Sequence, residues 1–397
     1  METKTNNIIN KAEENLIHTY NRADLVLDHC DGVYLYDVEG NKYLDFAAGI
    51  AVYALGYNYK DYNEALKAQI DKVVHISNLY YSEPLAEAAQ KLVRATGLSK
   101  AFFTNSGTEA VEGALKLAKK YAYLRDNCTD HEIIAMEHSF HGRSMGALSV
   151  TGNAHYREAF GPLIPGIRFA EYNNLESVKA LVNKKTCAII CETVQGEGGI
   201  FPADKEFLEG LRKLCDENDM LLILDEIQCG MGRTGSMFAY QQYGVMPDVV
   251  TSAKALGCGI PVGAFVAGSK CDKVLVPGDH GTTYGGNPLA TAAASKVFDL
   301  FAENDIIGHV NEVAPYLMER LKDFAGRHSS VKAVRGLGLM CGMQFKDELP
   351  VGNVVRAARE HGLIVISAGL NTLRFVPPLI ITKQNVDEMI DILEKCV

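Results

Sequence analysis

Between about residue 55 and residue 290 the chain keeps returning to one pattern, a short apolar run followed by a longer stretch with apolar residues at helical spacing. The runs are KAFFT (100–104), EIIAM (132–136), TCAIIC (186–191), LLILD (221–225), DVVTS (248–252) and VGAFVA (262–267). Several lack the polar–apolar alternation of a strand with one wet face, so they predict strands covered on both sides. Such strands alternating with helices define an α/β unit around a mostly parallel sheet. Beyond residue 308 the rhythm changes. A helix over HVNEVAPYLMERLKDFAGRH (309–328) leads through the apolar segments LMCGMQF, LIVIS and LRFVP to a last amphipathic helix after Thr382, and the N-terminal segment carries the hairpin-like GVYLYDVEGNKYLDF. The predicted fold class is α/β, with a large domain over 55–290 and a smaller α+β domain built from 1–54 and 291–397. A chain of 397 residues exceeds what one core usually serves, and the cleft between two such domains is where small molecules bind.

Charge narrows the function. A formal net charge of −10 argues against a nucleic-acid binder, since phosphate neutralisation needs clustered Lys and Arg. Anionic substrates therefore need local arginines. The N-terminus, METKTNNIINKAEENL, has no apolar core of signal length. The uncharged run at residues 255–269 is too short for a membrane span of about 20 residues. A cytoplasmic location, away from membranes, is expected. Ten cysteines are scattered; Cys187 and Cys191 share a strand face but lie roughly 13 Å apart at about 3.3 Å per residue, too far to share a metal. Reduced, structural thiols are expected.

Three stretches carry chemistry. In FFTNSGTEA a strand turns into a helix at Ser106-Gly107-Thr108-Glu109. This turn reads as a capping box and equally as a phosphate cradle, because a helix N-terminus offers free N–H groups and the positive end of a dipole. In LLILDEIQCGMGRTG an apolar strand ends at Asp225-Glu226, with Gln228 just beyond. A strand-end acid is often only a loop carboxylate, but ligands of open α/β sheets bind at this edge. Lys254 follows DVVTS on the same predicted rim and is the sole charged side chain between Asp248 and Lys270. It is either an exposed loop lysine or an amine whose pKa desolvation lowers, making it a nucleophile towards aldehydes. Together a phosphate cradle, a strand-end carboxylate and a poised lysine describe a site for pyridoxal 5'-phosphate.

Other signals are weaker. HSFHGR (138–143) sets two histidines three apart without a third metal ligand, leaving Phe140 as a stacking ring and Arg143 as an anion anchor. GTTYGGNP (281–288) is a loop whose threonines offer hydroxyls to a phosphate. GCGIPVG and GLGLMCG lack dinucleotide spacing and read as tight turns.

The set NSGTEA, HSFHGR, QGEGG, LDEIQCGMGRTG, AKALG and TTYGGNPLA, in this order, resembles the class III aminotransferases, pyridoxal-phosphate enzymes of fold type I. The resemblance spans about residues 30–380. It implies that Lys254 holds the cofactor covalently and then shuttles the proton, and that Asp225 faces the pyridine nitrogen. By the same resemblance Gln228 lies near the phenolic oxygen, Phe140 and Ile227 sandwich the ring, and Ser106, Gly107 and Thr108 bind the phosphate. Thr283 would join that phosphate from a second subunit, implying a homodimer with shared active sites.

Within the family, YLDFAAGIAV, ISNLYYSEP and LRFVPPL look like members acting on N2-acetyl-L-ornithine with the 2-oxoglutarate/L-glutamate pair. Arg143 would then hold the carboxylate distal to the reacting carbon, and Arg374 the α-carboxylate of glutamate. Glu197 would cover Arg374 when no such carboxylate is present. Thr193, Cys229 and His138 stand where many members have Pro, Thr and Asn. Ile50 stands where ornithine δ-aminotransferases carry a tyrosine that helps select free ornithine, which favours an acylated donor. Ornithine, succinylornithine, N-succinyl-diaminopimelate and 4-aminobutyrate remain alternative donors. An aminomutase, or a binding protein that keeps the fold, are readings of other classes.

Overall fold

In the computed structural model, which describes residues 4–397, the six apolar runs become strands of one seven-stranded sheet. Their order is Lys100–Thr104, Gly263–Ala267, Val249–Ser252, Leu221–Asp225, Thr186–Glu192, Glu132–Met136 and Ile167–Ala170. Gly263–Ala267 runs antiparallel to both neighbours and the other six point one way. Ile167–Ala170 did not stand out in the sequence. It is a four-residue edge strand whose Arg168 faces solvent, so it carries no continuous apolar run.

Both faces of the central strands are covered, as their composition requires. Leu222 and Leu224 pack into one core with Phe207 and Leu211 of the helix Lys205–Glu217. Leu221 and Ile223 pack into the other with Val111, Leu115 and Ala118 of the helix Gly107–Asp126. Every residue of Leu221–Asp225 and Thr186–Glu192 is buried.

The two ends of the chain meet in one sheet. Leu27–Asp31, Tyr34–Asp37 and Lys42–Asp45 are extended by Leu363–Ile364, which pairs parallel with Lys42–Asp45. A third, antiparallel sheet contains Val331–Leu337, Met340–Phe345, Thr372–Phe375 and Ile366–Ala368. LIVIS therefore splits at Val365, its halves serving different sheets. Arg233, 1% exposed, pins the third sheet to the Gly-rich loop after Asp225, with Nη1 donating to the carbonyls of Leu339 and Pro377. Gly338 allows this approach: a Cβ there would lie 2.5 Å from the Thr234 backbone.

Because six strands run parallel, their carboxyl ends share one rim. Thr104, Met136, Glu192, Asp225 and Ser252 end their strands there, and Asp225 stands in register between Glu192 and Thr251. The segments leaving this rim form the wall of a cavity of about 460 Å³.

Candidate active site

The helix Gly107–Asp126 starts at the cavity. Its cap is Ser106, whose hydroxyl accepts from Glu109 N at 3.3 Å, while the Glu109 carboxylate reaches back to Asn105 N at 2.6 Å. The cap is thus a box shifted by one residue. It leaves the N–H groups of Gly107 and Thr108 without protein acceptors among the described residues, so the cap is in place and two donors stay available to an anion. A Cβ on Gly107 would sit 2.8 Å from the Ile227 side chain, so a larger residue there would push against that wall. The Thr108 hydroxyl binds Ser144 Oγ at 2.7 Å and accepts from Arg143 N at 3.2 Å, tying the cradle to the segment that carries Arg143.

Lys254 lines the same cavity and adopts a left-handed backbone with φ 50°, a strained conformation for a residue with a side chain. Desolvation is the largest influence on its amine and lowers its pKa to about 8, with the Arg374 charge adding to the effect and Glu197 opposing it. The exposed-loop reading therefore fails. The amine is partly neutral near physiological pH, which a nucleophile requires.

Asp225 is 3% exposed, and its Oδ2 meets His141 Nδ1 at 2.7 Å. Burial works against an imidazolium at His141, but the hydrogen bond and charge of Asp225 outweigh it and raise the His141 pKa. Nε2 of His141 is buried and has no partner among the described residues. Beside this pair lies Glu192, pushed to about 7 by burial and accepting from the N–H groups of Phe140 and Gly196. The sequence reading found neither group. HSFHGR looked like two equivalent histidines, whereas His138 is exposed at φ 60°. Asparagine and histidine both tolerate that backbone region better than most residues, which explains why His138 fits where Asn is common.

Nine of the twelve expected residues line the cavity: Ser106, Gly107, Thr108, Phe140, Arg143, Asp225, Ile227, Gln228 and Lys254. Val52, Val194, Ile260, Pro261 and Val262 add apolar wall that the sequence did not reveal. Glu197 and Arg374 stand just behind Gln228. Arg374, 3% exposed, donates through Nη1 to Gln228 Oε1 at 3.0 Å and through Nη2 to Glu197 Oε2 at 3.3 Å. Burial alone would raise the Glu197 pKa, but the charge and hydrogen bonds of Arg374 lower it. Thr283 lies apart, exposed on the surface.

Two other departures from the family pattern have local explanations. The Thr193 hydroxyl donates to Glu226, whose buried carboxylate also accepts from the N–H groups of Ala239 and Tyr240. Cys229 is buried, with Sγ 3.6 Å from the Asp225 carbonyl.

The cavity's own chemistry suits a planar aromatic aldehyde bearing a phosphate. It combines unpaired N–H groups at a helix start, a sealed carboxylate, apolar Ile227 and Phe140, and a desolvated amine. Fold and wall together define a pyridoxal-phosphate-dependent transferase. Residues 17–397 match the family described as Aminotransferase class-III, and the chain belongs to that family. An acetylornithine aminotransferase of Clostridium acetobutylicum is 44% identical over 383 residues, covering 96% of this chain and 98% of that protein. One from Caldanaerobacter subterraneus is 46% identical over 380 residues, covering 96% of each. Among solved structures, N-acetylornithine aminotransferase from Stenotrophomonas maltophilia superposes with a TM-score of 0.84 at 35% identity, covering 97% of each chain. The ornithine aminotransferase of Toxoplasma gondii reaches 0.95 at 27% identity, covering 99% of this chain and 95% of that one.

Proposed function

We propose that the protein transfers the terminal amino group of N2-acetyl-L-ornithine to 2-oxoglutarate, giving L-glutamate, with Lys254 and Asp225 as its catalytic groups. The observation that carries this reading is the unequal state of the two arginines at the cavity. Among the described residues Arg143 has no ion-pair partner and lies open at the wall, whereas Arg374 is covered by Glu197. A donor that reacts at its terminal amine presents one carboxylate, far from the reacting carbon, and Arg143 alone meets it. Glutamate presents a second carboxylate next to the reacting carbon, and Arg374 receives it once Glu197 turns away. The names of the relatives support the same donor, as does Ile50 in place of a tyrosine.

Bound pyridoxal phosphate supplies an electron sink for the pair released when the substrate C–H bond breaks. Asp225, held by His141, would face the ring nitrogen of the bound cofactor. Phe140 and Ile227 offer apolar faces, Gln228 a polar edge, and Ser106, Gly107 and Thr108 an anion cradle. Lys254 Nζ would take the proton from the substrate carbon and pass it on to the cofactor, not back to that carbon, as net transfer requires.

The exposed apolar residues Leu79, Tyr80, Tyr81 and Tyr284 flank the loop of Thr283, which Asn78 ties down through the carbonyls of Thr282 and Gly285. A second copy covering this patch would deliver Thr283 to the neighbouring cavity, so a homodimer with shared sites is part of the proposal. The domain division at 55 and 290 and a cytoplasmic location complete it. Among the described residues no helix is long and apolar enough to cross a membrane.

The experiment is a panel of amine donors with 2-oxoglutarate, ranked by kcat/KM. N-acetylornithine should head the ranking; a value well below that of ornithine, succinylornithine or 4-aminobutyrate contradicts the proposal.

A further inference from the structure

Arg143 is a cation held by rings. Among the described residues its guanidinium makes no hydrogen bond and no ion pair, and its partners are the faces of Tyr156, 3.8 Å from Cζ to the ring centroid, and Phe140, at 5.6 Å. Arg374 is the opposite case, with Nη1 and Nη2 donating to Glu197, Gln228 and the Ser367 carbonyl. Tyr156 lies on the short helix Ala154–Arg157, outside the cavity wall. Its half-buried ring also meets Phe140 edge-on, with centroids 6.1 Å apart and planes at 87°.

A carboxylate partner would hold Arg143 more firmly, but it would occupy the N–H groups that a substrate carboxylate needs. An aromatic face does neither. It attracts the flat face of the guanidinium through the ring quadrupole, while the five donors lie in the plane, at the edge. The backbone is fixed as well, by the bond from Arg143 N to Thr108 Oγ1. We propose that Tyr156 is a positioning residue for Arg143 that stands in for a counter-ion, keeping the guanidinium aimed and every donor free for the distal carboxylate of either substrate. This rests on the reading of Arg143 as the carboxylate anchor. The phenolic oxygen has no hydrogen-bond partner among the described residues, so the ring alone carries the role.

The test uses the holoenzyme and three substitutions. Tyr156→Phe should match the wild type. Tyr156→Leu should raise KM for both N-acetylornithine and 2-oxoglutarate by about 3- to 10-fold, the scale of a lost cation–π contact, with kcat and cofactor content unchanged. N-acetylputrescine, which is N-acetylornithine without its carboxylate, should keep its kcat/KM in the same variant. Tyr156→Glu should raise both KM values further, because its carboxylate competes for the guanidinium, and this half-exposed change keeps the test open if the leucine variant folds poorly. The inference is overturned if Tyr156→Phe is as damaging as Tyr156→Leu, if N-acetylputrescine loses as much as N-acetylornithine, or if neither Tyr156→Leu nor Tyr156→Glu moves KM. Arg143→Gln separates the two layers. A raised KM there beside an unmoved Tyr156→Leu defeats only this inference, whereas an unmoved KM in Arg143→Gln defeats the anchor reading as well.

Discussion

His141 and Asp225 meet on the sealed floor of the cavity, Nδ1 to Oδ2 at 2.7 Å, with side chains 0% and 4% exposed. A carboxylate this deeply buried keeps its charge only with a partner. Replacing His141 with Leu should therefore weaken cofactor retention and lower kcat by about 10- to 100-fold, the range seen when the partner of a functional ligand is removed. Cofactor content after dialysis and steady-state rates check this. Full retention with full activity would mean that Asp225 needs no help.

Lys254 makes stability depend on pH in the cofactor-free protein. Its amine titrates at about 8 when folded, against 10.5 for an ordinary solvated lysine, so the unfolded chain binds more protons between those values. Stability then rises with pH across that window. Below it, the buried amine costs on the order of 3 kcal/mol. Cofactor-free Lys254→Met should be more stable than the wild type at pH 7, with the gap closing towards pH 10. Denaturant unfolding at both pH values measures it, and a gap that does not change with pH contradicts the desolvated amine.

In the proposed function Glu197 must leave Arg374 by side-chain rotation, because its backbone is held in place. The backbone of this segment is pinned by the bond from Gly369 N to the Glu197 carbonyl at 2.8 Å and that from Arg335 Nε to the Gly199 carbonyl at 2.7 Å. Glu197→Ala should leave Arg374 free for any α-carboxylate. The ratio of kcat/KM for glutamate to that for N-acetylornithine should then rise by about tenfold or more, since a buried charge pair is worth a few kcal/mol when one partner is truncated. An unchanged ratio removes the gate from the account.

Thr193 has a structural task. Its hydroxyl donates to the buried Glu226 carboxylate beside the N–H groups of Ala239 and Tyr240, and burial pushes that carboxylate to about 7. Thr193→Val should cost about 1–2 kcal/mol of stability, as expected for a buried acceptor that loses one donor, and leave KM unmoved. Thermal unfolding together with kinetics checks both halves.

What could be read from the sequence was whatever repeats along the chain. Uninterrupted apolar runs fixed the central strands, and Asp225 and Lys254 were legible because each ends or follows such a run. The hidden parts come from long-range contacts. His141 meets Asp225 across 84 residues, and nothing local separates it from His138. Glu192 extends TCAIIC by one buried residue, and only the register that aligns it with Asp225 reveals it. LIVIS reads as one strand because each half is apolar, yet they join different sheets. The left-handed turn at Lys254 has no glycine to announce it.

The central claim is that this site moves a terminal amino group from N-acetylornithine to 2-oxoglutarate by way of Lys254. The most direct measurement follows ¹⁵N from the δ-amino group of labelled N-acetylornithine, with Lys254→Ala as the control. The account predicts label in glutamate, dependent on 2-oxoglutarate and absent with Lys254→Ala. Label that stays in the donor-derived product without any keto acid, or glutamate labelled equally by Lys254→Ala, would contradict it.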